Sequence, residues 1–95
     1  MWGVVKSDGK VISGAGFIVE HIGPGIYTVV FRRPFTVIPA VVTSELYPND
    51  VHSSGGDTRD NSVVVGIDLD RFRVKLGDGG GTATDRDFTF IAIGS

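Results

Sequence analysis

Short apolar segments alternate with glycine-rich turns along the whole chain, and this alternation constrains the fold more than any other feature. Fourteen of the 95 residues are glycine and four are proline, and valine, isoleucine and phenylalanine fill the segments between them. Turn signals recur at intervals of roughly ten residues, the spacing typical of an all-β sandwich or barrel, and no segment has helical periodicity. The sequence therefore predicts an all-β fold, either a sandwich or a barrel.

The chain is predicted to be one domain, residues 1–95, because no linker, internal repeat or low-complexity stretch divides it. Asp8-Gly9 lies between two short apolar segments and predicts a tight turn. We expect the resulting hairpin, within residues 1–14, to be peripheral to a core formed by residues 15–95. Gly23-Pro24-Gly25 predicts a second and clearer hairpin.

The last two apolar segments have the most informative strand patterns. In the run Arg71-Phe-Arg-Val-Lys-Leu76, charged and apolar residues alternate, which predicts one solvent-exposed face and one buried face. The final segment, 87–94, is apolar on both faces: Phe88, Phe90 and Ala92 on one, Ile91 and Ile93 on the other. Such a strand is either central in a sandwich or covered by another subunit. Because so small a chain covers both faces poorly by itself, we expect self-association.

Composition excludes several functional classes. The chain has no cysteine, so it has no disulfide framework, no thiolate metal site and no thiol nucleophile. Nine basic residues against eleven acidic residues give a net charge of −2, and without a basic cluster no nucleic-acid partner is expected. The longest apolar run, 37–42, contains Pro39 and is far shorter than the roughly 20 residues of a membrane helix. We therefore expect no membrane insertion.

Neither a cofactor nor a metal ion is predicted. The Gly14-Ala15-Gly16 segment leads into a strand instead of out of one, and the glycine-rich turn at 77–82 lacks the lysine of a phosphate loop. Two groups of aspartates occur, one of Asp50, Asp57 and Asp60, the other of Asp78, Asp85 and Asp87. Neither group has the spacing of an EF-hand, so we interpret these aspartates as turn residues.

One long irregular segment, Tyr47–Asn61, is the first candidate for a binding site. Loops of this length in compact domains are commonly functional. Tyr47 combines an apolar ring that can stack on a sugar with a polar tip, and directional polar side chains follow it. The predicted ligand-binding residues are Tyr47, Asn49, Asp50, His52, Arg59 and Asp60. The alternative role for Tyr47 is to close one end of the core.

The two histidines are the obvious candidates for acid–base chemistry. His21 ends a strand beside Glu20, and we expect it to be a surface or cross-strand histidine. His52 lies among serines and aspartates, but its segment has neither the nucleophile elbow nor the helix terminus that would complete a catalytic triad. No enzymatic activity is therefore predicted, and a hydrolase using His52 is the third hypothesis.

The strand pattern resembles two kinds of small β-module. It consists of the run Tyr27-Thr-Val-Val-Phe31-Arg-Arg-Pro34-Phe35-Thr-Val-Ile-Pro39-Ala-Val-Val42, the segment Phe72-Arg-Val74, and the closing run Asp87-Phe-Thr-Phe-Ile-Ala-Ile-Gly94. This pattern is similar to that of the β-sandwich modules at the tips of bacteriophage tail fibres, and also to the H-type lectin domain. The resemblance implies an antiparallel β-sandwich of about six or seven short strands that assembles as a homotrimer, with ligand sites in loops near the subunit boundaries.

The expected function is that of a non-enzymatic recognition module, a trimeric tip domain of the phage-tail or lectin-like type. It would bind a glycan or another cell-surface receptor through Tyr47–Asn61, with the Gly77–Asp85 turn as a second contact. The expected partners are other copies of this chain and that glycan or receptor. The alternative is a purely structural trimerisation domain without a small ligand.

Overall fold

The computed structural model describes all residues, Met1–Ser95, and contains eight strands and no helix. No helix long and apolar enough to cross a membrane is present. In chain order the strands are β1 (Trp2–Val5), β2 (Val11–Gly14), β3 (Phe17–Gly23), β4 (Ile26–Phe31), β5 (Ala40–Leu46), β6 (Asn61–Ile67), β7 (Arg71–Gly77) and β8 (Asp87–Ile93). They form two antiparallel four-stranded sheets, β2-β1-β8-β5 and β3-β4-β7-β6. The predicted all-β antiparallel architecture is confirmed, and its two sheets fit a β-sandwich.

The predicted count of about six or seven strands is wrong, because both strands of the amino-terminal hairpin join a sheet. β2 forms an edge of the first sheet, as a peripheral strand would. β1, however, lies between β2 and β8, and its residue Val5 is fully buried. The expectation that residues 1–14 are peripheral therefore does not describe β1, which is part of the core.

Alternating side chains on the two sheets meet to form one core. Phe72, Val74 and Leu76 of β7 are buried, whereas the three basic residues that alternate with them, Arg71, Arg73 and Lys75, are exposed, as the alternation predicts. The core comprises eleven buried residues: Val5, Phe17, Tyr27, Val29, Phe31, Phe72, Val74, Leu76, Phe88, Phe90 and Ala92. The Phe90 ring makes edge-on contacts with the rings of Phe17 and Phe72, at centroid distances of 4.9 and 5.1 Å. Each such pair stabilises the fold by about 0.5–1.5 kcal/mol beyond its buried area.

β8 carries apolar side chains on both of its faces, as its sequence predicts. Ile91, which points away from the core, is paired with Trp2 of β1 on one side and with Val42 of β5 on the other. The exposed fractions are 47% for Ile91, 54% for Trp2 and 65% for Val42, and Ile93 on the same face is 69% exposed. We call these four side chains the outer apolar face. It crosses three of the four strands of the first sheet.

The segment that follows β5 passes from the first sheet to the second. All seven residues of β5 pair with β8, so Glu45 lies opposite Phe88 and Leu46 lies opposite Asp87. The hydroxyl oxygens of Thr43 in β5 and Ser62 in β6 are 2.8 Å apart and join the two sheets by a hydrogen bond. The end of β5, the start of β8 and the segment 47–60, which joins β5 to β6, therefore meet at one end of the sandwich.

Candidate functional site

Charged side chains replace apolar ones where the core reaches this end of the sandwich. Arg86 precedes β8 by one residue, and its side chain is only 9% exposed. Glu45 belongs to β5, and its side chain is 4% exposed. Nη1 of Arg86 lies 3.4 Å from Oε1 of Glu45 and 3.7 Å from Oδ2 of Asp60. A buried guanidinium is thus placed beside two carboxylates.

The polar atoms of this cluster are incompletely hydrogen-bonded. Both carboxylate oxygens of Glu45 and Nη1 of Arg86 are buried and have no hydrogen-bond partner in the chain. Burial raises the pKa of the Glu45 carboxyl, Arg86 opposes that rise, and the charge of Asp60 adds to it. A buried polar group without a partner costs about 1–3 kcal/mol. The cluster therefore retains unused capacity to accept and to donate hydrogen bonds.

The aromatic ring of Tyr47 packs against the same guanidinium. Cζ of Arg86 lies 3.4 Å from the centroid of the Tyr47 ring. Stacking of this kind combines a cation–π attraction with dispersion between two planar groups. Tyr47 is nevertheless 52% exposed, so about half of its surface faces solvent while the ring is fixed by Arg86.

Two clefts adjoin Tyr47. The larger, of about 290 Å³, is lined by Glu45, Tyr47, Asp60 and residues 55–58. The smaller, of about 260 Å³, is lined by residues 46–48, residues 85–87 and the pair Lys6 and Ser7. Tyr47 is the residue that the two clefts share.

A further open cleft, of about 340 Å³, lies on the outer face of the second sheet between β6 and β7. Its basic groups are already engaged. Arg71 donates two hydrogen bonds to Asp70, and Nε of Arg73 donates one to the hydroxyl of Thr28. No buried polar atom without a hydrogen-bond partner lines this cleft, unlike the end of the sandwich at Tyr47.

The structure brings together only part of the predicted site. Tyr47 and Asp60 meet at Arg86, as described above. Asn49 adopts a left-handed conformation, with a φ of 68°, which asparagine tolerates better than most residues. Its Nδ2 donates a 2.7 Å hydrogen bond to Oδ2 of Asp87. The Asn49 side chain is thereby committed to Asp87, a residue that lines the smaller cleft.

The other three predicted residues lie outside the cluster. Oδ1 of Asp50 accepts a hydrogen bond from the main-chain amide of His52, 3.0 Å away, so Asp50 serves a turn. The His52 ring forms no hydrogen bond or ion pair, and no Ser–His–Asp arrangement involves it. Arg59 donates to Asp57 from Nε and Nη2, at 3.2 and 3.0 Å, in an exposed pair.

Comparisons of the chain with profiles of protein families, with curated proteins and with solved structures gave no match. The chemistry of the site must therefore be judged from its own groups. No group of three or more histidine, aspartate or glutamate side chains is arranged to hold a metal ion. What the site offers is a buried acceptor in Glu45, a buried donor in Arg86 and an exposed aromatic surface in Tyr47.

Two contacts within the chain account for the position of the His21 side chain. Its Nε2 lies 2.8 Å from Oδ1 of Asp85, and its ring stacks on Tyr27 with centroids 4.6 Å apart and planes within 8°. The Tyr27 hydroxyl donates a 2.6 Å hydrogen bond to the carbonyl of Ser7. Burial, together with the nearby charge of Asp85, keeps the pKa of Tyr27 well above its usual value. His21 is thus a cross-strand contact that ties β3 to the segment before β8.

Neither Glu45 nor Arg86 is among the predicted ligand-binding residues, although the sequence contains a signal for both. The inward alternation of β8 passes through Phe90 and Phe88 and, two residues earlier, reaches Arg86. The partly buried alternation of β5 passes through Val41 and Thr43 and reaches Glu45. Opposite charges at inward positions of adjacent strands indicate a buried ion pair.

Proposed function

We propose that this chain is a non-enzymatic recognition module, a homotrimeric tip domain of the phage-tail or lectin-like type that binds a glycan or another cell-surface receptor beside Tyr47. The observation that carries this proposal is the exposed Tyr47 ring, which Arg86 fixes next to a cleft of about 290 Å³. A fixed aromatic ring stacks on the apolar face of a sugar at a low cost in entropy. Polar groups in the adjoining cleft supply directional contacts, as binding pockets require.

The outer apolar face supports the self-association part of the proposal. Trp2, Ile91 and Val42 lie side by side on adjacent strands, with exposed fractions between 47% and 65%. Contiguous exposed apolar side chains on a soluble protein commonly mark an interface with another chain. Further copies of this chain would cover the face. This agrees with the trimeric assembly of the β-modules that the strand pattern resembles.

A purely structural trimerisation domain is the second candidate, and the same outer apolar face favours it. That face requires no small ligand to be useful, because burial of its side chains between copies is sufficient. The two candidates differ at Tyr47, since only the recognition module uses the exposed ring and its cleft.

A glycan array tests the recognition module. The wild-type chain should bind at least one glycan, and Tyr47→Ala should weaken that binding by roughly tenfold through loss of stacking, whereas Tyr47→Phe keeps most of it. Ile18→Ala is the control, because Ile18 is 45% exposed against 52% for Tyr47 and lies on the outer face of the second sheet. An array on which the wild-type chain binds nothing favours the structural candidate, and binding unchanged by Tyr47→Ala contradicts the site.

Light scattering on a size-exclusion column tests the trimer. Three copies of a 10.1 kDa chain should give a mass of about 30 kDa. Ile91→Glu places a charge in the middle of the outer apolar face and should produce monomers. The matched control is Val63→Glu, at a 53% exposed position of the other sheet, which should leave the mass unchanged. A monomeric wild-type chain contradicts both candidate functions as stated.

A further inference from the structure

We infer that Glu45 and Arg86 form the polar half of a saccharide subsite, in which neighbouring hydroxyl groups of one sugar bridge the two side chains beside Tyr47. The inference rests on the proposed recognition function and names the chemistry of its ligand. It also moves the polar contacts from the exposed tip of the loop to two residues that the sequence does not single out.

The buried cluster has a specific set of unmet hydrogen bonds. Glu45, 4% exposed, lines the cleft and has two carboxylate oxygens that accept no hydrogen bond. Nη1 of Arg86, on a side chain that is 9% exposed, donates none, although it lies only 3.4 Å from Oε1 of Glu45. A ligand that satisfies both must donate to Glu45 and accept from Arg86 within the space of a few atoms. Because all three atoms are closed to solvent in the free chain, and Arg86 lines only the smaller cleft, binding must open the cluster.

Hydroxyl groups are the simplest chemistry that meets both demands, since each hydroxyl donates one hydrogen bond and accepts others. An ammonium group donates to Glu45 but cannot accept from Arg86, and it adds positive charge beside the guanidinium. A carboxylate or phosphate accepts from Arg86 but is repelled by Glu45 and Asp60. Two neighbouring hydroxyls on a neutral sugar avoid both conflicts.

The surroundings of the cluster suit one sugar unit. Tyr47 lines the same cleft and offers its exposed ring to the apolar face of the sugar whose hydroxyls reach Glu45. Asp60 is already engaged, because its Oδ2 accepts a 2.8 Å hydrogen bond from the amide of Asp57, and it serves to position Arg86. The cleft volume of about 290 Å³ lies at the lower end of the range for ligand pockets.

The test is a titration followed by nuclear magnetic resonance of backbone amides. The probes are free glucose, galactose, mannose, fucose, N-acetylglucosamine and N-acetylgalactosamine. At least one sugar should shift the amide signals of Glu45, Tyr47 and Arg86 together. Glu45→Gln preserves the shape of the side chain but removes its charge, and it should weaken binding by roughly tenfold or more. Glu20→Gln, the same substitution at an exposed strand position, is the matched control.

A second variant keeps the test decisive if Glu45→Gln fails to fold. Thr58 is exposed and lines the cleft, so Thr58→Lys should fill the cleft with a side chain whose ammonium reaches the carboxylates. It should abolish the sugar-dependent shifts without removing any buried group. Thermal unfolding of each variant shows whether it is folded before the titration is interpreted.

The outcomes separate this inference from the proposed function. Shifts at Glu45, Tyr47 and Arg86 that Glu45→Gln or Thr58→Lys removes support the inference. Shifts confined to residues 49–54 and unchanged by these variants overturn the inference but leave glycan recognition standing. The absence of shifts with every sugar overturns the inference, and the glycan array then decides independently whether recognition itself fails.

Discussion

The backbone amide of Gly25 donates a 2.8 Å hydrogen bond to Oδ1 of Asp85, a residue 60 positions later in the chain. The same carboxylate oxygen lies 2.8 Å from Nε2 of His21. These contacts tie the turn between β3 and β4 to the segment that leads into β8. Because Arg86 is the next residue after Asp85, the tie also fixes the backbone from which the buried guanidinium of the candidate site extends.

Replacement of Gly25 by alanine should strongly destabilise the fold. Gly25 has a φ of +70°, and a Cβ there would lie 2.5 Å from the carbonyl oxygen of Leu76 and 2.7 Å from the amide of Thr84. Such strain costs on the order of 1–3 kcal/mol before the clash with the backbone is counted. Gly23→Ala, two residues earlier, is the matched control, because a Cβ there meets nothing within 4 Å. Urea unfolding of both variants measures the difference, and equal stabilities would contradict the account of this turn.

The contribution of Asp85 to stability should depend on pH. The hydrogen bond from Gly25, followed by the contact with His21, lowers the pKa of the Asp85 carboxyl in the folded chain. Between that lowered pKa and the ordinary value of about 4, the unfolded chain binds more protons, so stability rises with pH. The contribution is therefore complete above about pH 4 and is lost as the pH falls through the lowered pKa.

Asp85→Asn removes this contribution and provides the measurement. The difference in free energy of unfolding between wild type and variant should be largest at neutral pH and should shrink in acid. Urea unfolding at a series of pH values gives the difference directly. A difference that stays constant down to about pH 3 would show that the hydrogen bonds do not favour the charged carboxylate.

Removal of the Arg86 side chain should be more damaging than removal of an exposed arginine. In Arg86→Ala the Glu45 carboxylate, 4% exposed, remains buried without its cation, and such a change typically costs about 3–5 kcal/mol. Arg33→Ala, at an exposed position without an ion pair, should change the free energy of unfolding by less than about 0.5 kcal/mol.

A double variant separates the loss of charge pairing from the loss of packing. Replacement of both members by apolar residues, Glu45→Leu with Arg86→Met, leaves no uncompensated charge at these two positions. It should recover a large part of the stability that Arg86→Ala loses, because replacement of a whole buried ion pair by apolar residues of similar volume is often neutral or stabilising. A double variant as unstable as Arg86→Ala would mean that packing against Tyr47, not charge pairing, is the main contribution of Arg86.

Patterns of local origin could be predicted from the sequence. The alternation in β7 predicts which of its side chains are buried, and the alternation in β8 predicts that Ile91 lies on the face opposite to Phe88, Phe90 and Ala92. The turn interpretation is wrong for Asp85 and Asp87, whose carboxylates accept hydrogen bonds from the distant amides of Gly25 and Ser7, but for Asp50 and Asp78 it holds and has local causes. Oδ1 of Asp78 accepts hydrogen bonds from the amides of Gly80 and Thr82, and Asp50 accepts one from His52. Each of these outcomes depends on residues within a few positions of one another.

Features that depend on distant partners could not be predicted. β1 is a core strand because it pairs with β8, about 85 residues away. Nothing within the four residues of β1 indicates which strand it pairs with. The candidate site has the same origin, because Arg86 meets Glu45 only through the register of β5 with β8, and Asp60 comes from the segment that leads into β6. Proximity to Tyr47 in the sequence favours His52 and Asp50 as site residues. In the structure the residues around Tyr47 instead come from three different parts of the chain.

Glu45 should show a pH dependence opposite in sign to that of Asp85. Burial raises the pKa of the Glu45 carboxyl, so above the ordinary value of about 4.3 the folded chain binds more protons than the unfolded chain. Stability contributed by this group is therefore present at low pH and decreases as the pH rises through the raised pKa.

Glu45→Gln removes that titration and provides the measurement. Relative to this variant, the wild-type chain should become more stable as the pH is lowered from about 7 towards 4.5, whereas relative to Asp85→Asn it should become less stable below about pH 4. Glu20→Gln, at an exposed strand position, is the matched control for the change of residue type. If both carboxyls gave the same sign, the Glu45 oxygens would have to be hydrogen-bonded in solution. The cluster would then have no unused acceptor for a ligand.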